Sequence, residues 1–148
     1  MDTLVLVAAV GSAVVGGVFF AFSAFVLPAL RRLPDDGAAA AMRSINVLAV
    51  RPPLMLALFG TAAACAVTGV VALRRDEPWG AAGAATYLLG VVLVTVVGNV
   101  PLNDRLADGR TGFAAYARAW GRWNHVRTAA GVAAAVLLLV GPAAGGSA

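Results

Sequence analysis

The sequence predicts an all-α protein: a bundle of four transmembrane helices, with short interfacial helices in the first and third loops. Four uncharged runs, 3–30, 52–73, 78–103 and 128–148, occupy most of the 148 residues, and every charged residue except Asp2 lies in the gaps between them. Each run reaches the roughly 20 residues that a helix rising about 1.5 Å per residue needs to cross about 30 Å of hydrocarbon. Composition agrees, at 61% hydrophobic and 12% charged with a mean hydropathy of +0.87. Backbone polar groups in lipid must be satisfied within their own segment, so each run is expected to be a helix. This length accommodates one integral membrane domain over 1–148, with spans at about 4–30, 53–73, 80–102 and 123–141.

The first run has no basic segment before it and is longer than the apolar stretch of a signal peptide, so it is expected to stay in the bundle. Its Ser12 and Gly16, or Ala13 and Gly17, form small-residue pairs that let helices approach closely. In the first loop, 38–50 carries Met42, Ile45 and Ala49 at helical spacing, and Pro52 and Pro53 must interrupt it before the second span. The third loop repeats the pattern with Phe113, Tyr116, Ala117 and Trp120. Nothing between Trp120 and Val140 stops a helix, so the last helix is expected to begin before its span. Beyond Val140, a Gly- and Pro-containing tail is expected to fray.

The ends of the first and third spans also echo one another. Leu27-Pro28-Ala29-Leu30-Arg31-Arg32-Leu33 and Val100-Pro101-Leu102-Asn103-Asp104-Arg105-Leu106 share an apolar-Pro-three-residues-Arg-Leu pattern. The echo is compatible with two helical hairpins related by an axis along the membrane normal.

All eleven basic residues are arginine, and the isoelectric point is near 10.6. Because the arginines flank spans, they are expected to set topology or meet lipid phosphates, with the bilayer and not nucleic acid as partner. Arg31, Arg32, Arg43 and Arg51 lie in the first gap, and Arg105, Arg110, Arg118, Arg122 and Arg127 in or at the end of the third. The second gap has only Arg74 and Arg75, offset by Asp76 and Glu77. The positive-inside rule then puts loops one and three in the cytoplasm and both termini outside the cell membrane.

Several chemistries lack their residues. Cys65 is the only cysteine, so neither a CxxC pair nor an internal disulfide exists. One histidine cannot supply paired haem ligands, and no metal site is expected. No acidic residue lies within a span, which removes the buried carboxylate of a proton-coupled exporter.

The candidate site lies at the loop-one and loop-three end. Asn99 and Asn103 are four apart, and Trp120, Asn124 and Arg127 fall at i, i+4 and i+7 with Trp123 beside them, giving one polar stripe per helix. An amide near hydrocarbon must face protein, water or ligand. His125 is the candidate general base, although one position beyond Asn124 is about 100° round the helix and can equally face the interface. Asp104 is its nearest candidate carboxylate partner, with Asp108 second. The alternative is structural: Asn99 or Asn103 bonds Asn124 across helices, and the tryptophans and tyrosine anchor at the headgroups.

Phe19-Phe20-Ala21-Phe22-Ser23 leading to Val26-Leu27-Pro28-Ala29-Leu30, Ala41-Met42 with Ile45-Asn46, Asn99-Val100-Pro101-Leu102-Asn103 and Trp120-Gly121-Arg122-Trp123-Asn124-His125-Val126-Arg127-Thr128 resemble the anthrone oxygenase-like family of small membrane proteins. The resemblance spans most of the chain, and the N-x-P-L-N and W-x-x-W-N-x-x-R elements are specific in combination. It implies four helices and, by analogy with fungal members, oxidation of a hydrophobic aromatic polyketide by dioxygen without a cofactor. On that reading His125 is the base, poised by Asp104. Asn99, Asn103, Asn124 and Arg127 bind oxygen atoms or the enolate, while Trp120 and Trp123 stack on a planar ligand. The competing class is a non-catalytic membrane protein: a lipid or quinone binder, or an accessory subunit. The glycines of the first helix and Gly98 also permit a homo-oligomer.

Overall fold

The computed structural model describes residues 2–144, the side chains of 141–144 excepted. Among them it is all-helical, with α1 at Thr3–Leu30, α2 at Asp35–Ala49, α3 at Pro52–Arg74, α4 at Pro78–Ala107 and α5 at Phe113–Ala144. Helices α1, α3, α4 and α5 are long and apolar enough to cross a membrane, as in a multi-pass membrane protein. Each packs against its neighbour in sequence, and α1 closes the ring against α5 in an extensive contact.

Local chemistry sets the helix ends. The Asp2 carboxylate accepts the Leu4 N–H at 3.0 Å, capping α1. Helix α2 stops at Ala49 and α3 starts at Pro52, where a missing N–H costs nothing because the first turn has no intrahelical acceptor for it. The second amphipathic stretch runs unbroken from Phe113 into the fourth span. Helix α5 continues through Ala144 where fraying past Val140 was expected, and the last part of the expected tail, 145–148, lies outside the described residues.

Two proline positions reshape α1 and α4. A proline inside a helix donates no N–H and its ring crowds the carbonyl four residues back. Both helices respond alike, with a π-helical turn just before the proline: Phe22–Val26 before Pro28, and Thr95–Asn99 before Pro101. Leu27 N–H reaches the Phe22 carbonyl, and Val100 N–H reaches that of Thr95. The sequence echo is thus an echo of backbone geometry. A further π-helical segment occupies Leu88–Leu93.

Apolar burial divides into two clusters. One contains Val15, Phe19, Leu58, Cys65, Tyr87, Val91 and Leu138 in the middle of the bundle. The other, at the loop end, gathers Leu27, Leu30, Met42, Leu106, Phe113, Tyr116 and Trp120, with Ile45 packed on it. Helix α2 lies over this second cluster on the Met42 face that its periodicity predicts. Two polar contacts fasten the loops: Arg43 Nε donates to the Leu106 carbonyl at 2.8 Å, and Asp35 Oδ2 accepts the Phe113 N–H at 3.2 Å. The second places a carboxylate on the first turn of α5, where the helix dipole favours it.

Of the two small-residue pairs in α1, Ser12 and Gly16 are buried, whereas Ala13 and Gly17 face outward. A Cβ added at Gly131 of α5 would lie 2.8 Å from Gly16 Cα, so the two backbones touch there. Gly131→Val is expected to lower stability by about 1–3 kcal/mol through overpacking. Gly17→Val, at a position with open space, serves as the control. Thermal unfolding of the two variants in detergent separates them.

Candidate functional site

The site is a polar layer between the two apolar clusters, built where the π-helical turns of α1 and α4 face α5. Asn124, fully buried at 0% exposure, is its hub. Its Nδ2 donates to the Phe19 carbonyl and to Ser23 Oγ, both at 2.8 Å, beside the widened turn of α1. Its Oδ1 accepts from an Arg127 terminal nitrogen at 2.9 Å. Both amide protons and the carbonyl oxygen are therefore engaged, and the network fixes the amide orientation.

Arg127 is 4% exposed. Besides Asn124, it donates to Thr95 Oγ1 of α4 at 3.3 Å. Its guanidinium carbon lies 4.0 Å from the ring centroid of Phe19 and 5.1 Å from that of Trp120, one ring from each apolar cluster. Among the described residues its charge has no carboxylate partner; the ion pair there is Arg110 with Asp108, at the surface.

Asn99, 1% exposed, donates from Nδ2 to the Trp120 carbonyl at 3.3 Å, and its Oδ1 has no partner. Trp120 Nε1 and Arg127 Nε are also buried without partners. Three orphaned polar atoms thus belong to residues of one layer, in a class of atom that is ordinarily satisfied. Asn103 is half-buried and accepts the Tyr116 hydroxyl at 2.8 Å.

Trp120 is 4% exposed and Tyr116 is buried, with ring centroids 6.2 Å apart and Phe22 5.5 Å beyond Trp120. The headgroup-anchor expectation fails for both, because α2 covers them. Trp123, 42% exposed, lies over Gly98, whose added Cβ would come 2.8 Å from the indole. The asparagines do not bond one another; each instead satisfies backbone or hydroxyl groups of the facing helix.

His125 is exposed and lines a cleft between α1 and α5 together with Ser23, Leu27, Pro28, Arg31, Arg118, Gly121 and Arg122. Asp104 is exposed on α4, and no hydrogen bond or ion pair among the described residues links it to His125. Ser23 connects cleft and layer, lining the first and bonding Asn124 in the second. No group of three or more His, Cys, Asp and Glu able to hold a metal occurs among the described residues.

A family model described as anthrone oxygenase matches residues 51–137, more than half of the chain. The chain belongs to the anthrone oxygenase family. No curated protein and no solved structure matches it. The matched region of this anthrone oxygenase family member contains Thr95, Asn99, Asn103, Trp120, Asn124, His125 and Arg127, while Phe19, Ser23 and Arg31 precede it. Sequence reasoning missed Phe19, Ser23 and Thr95. A hydroxyl within an apolar run, five or six residues before a proline, is the signal that would find Ser23 and Thr95.

Replacing Asn124 by alanine unpairs the Phe19 carbonyl, Ser23 and Arg127 together. Asn124→Ala is expected to destabilise the folded protein by about 1–3 kcal/mol or more, since charged groups left unpaired cost most. Ser23→Ala, which removes one of these contacts, is expected to cost less. Denaturation of both variants in the same micelle tests the order.

Proposed function

We propose that this protein is a membrane oxidoreductase that oxidises a hydrophobic aromatic substrate of the anthrone type with dioxygen. The observation that carries the reading is Arg127, a buried cation with no carboxylate partner among the described residues, flanked by aromatic rings and by the orphaned atoms of Asn99 and Trp120. Such an arrangement suits a ligand that becomes an oxyanion, because preorganised charge in a dry site stabilises developing negative charge. Membership of the anthrone oxygenase family supports the same substrate class.

The chemistry needs only a base and an anion site. Removal of a proton from the methylene opposite the anthrone carbonyl gives an enolate. One electron passes from it to dioxygen, and the resulting radicals combine in a new C–O bond. Loss of the second methylene proton as the O–O bond breaks yields the quinone carbonyl and water, so one anthrone and one dioxygen give one quinone and one water. His125, open to the cleft, is the proposed base. Arg127, Asn99 and Asn124 are proposed to hold the oxyanion, Asn103 to orient the substrate, and Trp120 and Trp123 to stack on its rings. Asp104 is proposed to act on His125 only after rearrangement. Loops one and three are proposed to face the cytoplasm, on the arginine excess there.

A second reading, a non-catalytic lipid or quinone binder, is favoured by one observation: Asn99, Asn103 and Asn124 each already bond protein partners. Oxygen uptake with an anthrone, corrected for the uncatalysed rate, separates the two. Saturable uptake is expected, reduced by about 10²–10⁴-fold in His125→Ala. His125 is exposed, so its removal leaves the bundle intact. Absence of saturable uptake by the folded wild type would replace oxidation with binding.

A further inference from the structure

The cleft that contains His125 carries a second kind of chemistry besides the proposed proton transfer. It is about 220 Å³ in volume and is lined by Arg31, Arg118, Arg122 and His125, with Ser23 and Gly121 between them and no carboxylate in its walls. Arg31 is held over it by a 3.1 Å bond to the Ala117 carbonyl. Gly121 keeps the floor open: a Cβ there would lie 3.2 Å from Leu27 Cδ2 and 3.8 Å from the Arg31 guanidinium. None of the three arginines has an ionic partner among the described residues.

Along α5, Arg118, Arg122, His125, Ala129, Val132 and Val136 recur at spacings of four and three and are all exposed, so they form one continuous outer face. That face is basic as far as His125 and apolar beyond it, in the direction of the bundle middle. A soluble anion matches only its first half. A molecule with an anionic head and a hydrocarbon tail matches both.

We propose that the cleft between α1 and α5 binds the phosphate of an anionic phospholipid whose acyl chain lies along the outer face of α5. The guanidinium forks of Arg31, Arg118 and Arg122 suit phosphate oxygens, and the Ser23 hydroxyl adds a polar contact on the α1 side. The site uses Arg118 and Arg122, which have no part in the proposed oxidation, so it stands whether or not the protein turns over an anthrone.

The test is native mass spectrometry of the detergent-purified protein titrated with phosphatidylglycerol and, separately, with phosphatidylcholine. Because the arginines meet the net negative charge of an anionic lipid, phosphatidylglycerol is expected to bind roughly tenfold or more tightly than phosphatidylcholine. Arg118→Gln with Arg122→Gln is expected to erase that preference, and Arg74→Gln with Arg75→Gln, at the other end of the bundle, to leave it intact. Equal binding of the two lipids by wild type, or an unchanged preference in the Arg118/Arg122 variant, overturns the proposal. Displacement of phosphatidylglycerol by millimolar inorganic phosphate overturns it too, by making the cleft a soluble-anion site. Because the two-lipid comparison uses the wild-type protein, failure of a variant to fold does not remove the test.

Discussion

A full positive charge sits between two apolar clusters in the interior of this bundle, and the rest of the site is arranged around holding it there. Burying an ion costs several kcal/mol even after relaxation. An acidic partner would be the ordinary compensation, but no carboxylate lies within the spans. The charge of Arg127 is instead spread over weaker contacts: an amide oxygen, a hydroxyl and the faces of Phe19 and Trp120. Such contacts work only if each is held in place. Asn124 presents its oxygen to Arg127 because both of its N–H groups are committed to α1, and Thr95 is presented by the widened turn of α4.

The prolines explain why those turns are available. In a regular α-helix each carbonyl already accepts from an N–H of its own chain and keeps one lone pair for a neighbouring helix, as that of Trp120 does for Asn99. Pro28 and Pro101 withdraw one donor each, and the π-helical turns before them rearrange the ladder where Ser23 and Thr95 lie. The Phe19 carbonyl, just before the first of these turns, takes its side-chain partner from α5. In hydrocarbon a disrupted ladder is tolerated only where neighbouring helices supply partners. Here they do, and the contact of Gly16 with Gly131 brings α1 and α5 close enough for Asn124 to reach across.

Much of this was legible from the chain. Four uncharged runs define the bundle, and the spacing of Met42 with Ile45 predicts the covered face of α2. The i, i+4, i+7 placement of Trp120, Asn124 and Arg127 puts them on one stripe, which the structure turns inward. The burial of Tyr116 and Trp120 was not legible, because aromatic residues near a membrane boundary look the same whether they meet headgroups or another helix. What decides is α2 folding back over them, a long-range contact secured by Arg43 and Asp35. The acceptors of Asn124 were hidden for a different reason: a backbone carbonyl such as that of Phe19 leaves no mark in a sequence. His125 kept its two readings because a step of about 100° from a buried neighbour fixes a direction only when the neighbouring helices are known.

Ser23 ties the two regions into one physical argument. Its hydroxyl accepts from Asn124 on the inner side and lines the arginine cleft on the outer side. A hydroxyl has one proton to give and two lone pairs. With one lone pair taken by Asn124, its proton remains for an acceptor, and in the cleft the natural acceptor is an anionic oxygen. Donation to such an oxygen polarises the hydroxyl and strengthens its acceptance from Asn124, since linked hydrogen bonds reinforce one another in a low-dielectric setting. Asn124 in turn bonds Arg127, so the effect extends to the guanidinium that Thr95 holds from the other side. An anion in the proposed cleft site would thus tighten the amide that positions the buried guanidinium, with its own negative charge on the far side of Ser23.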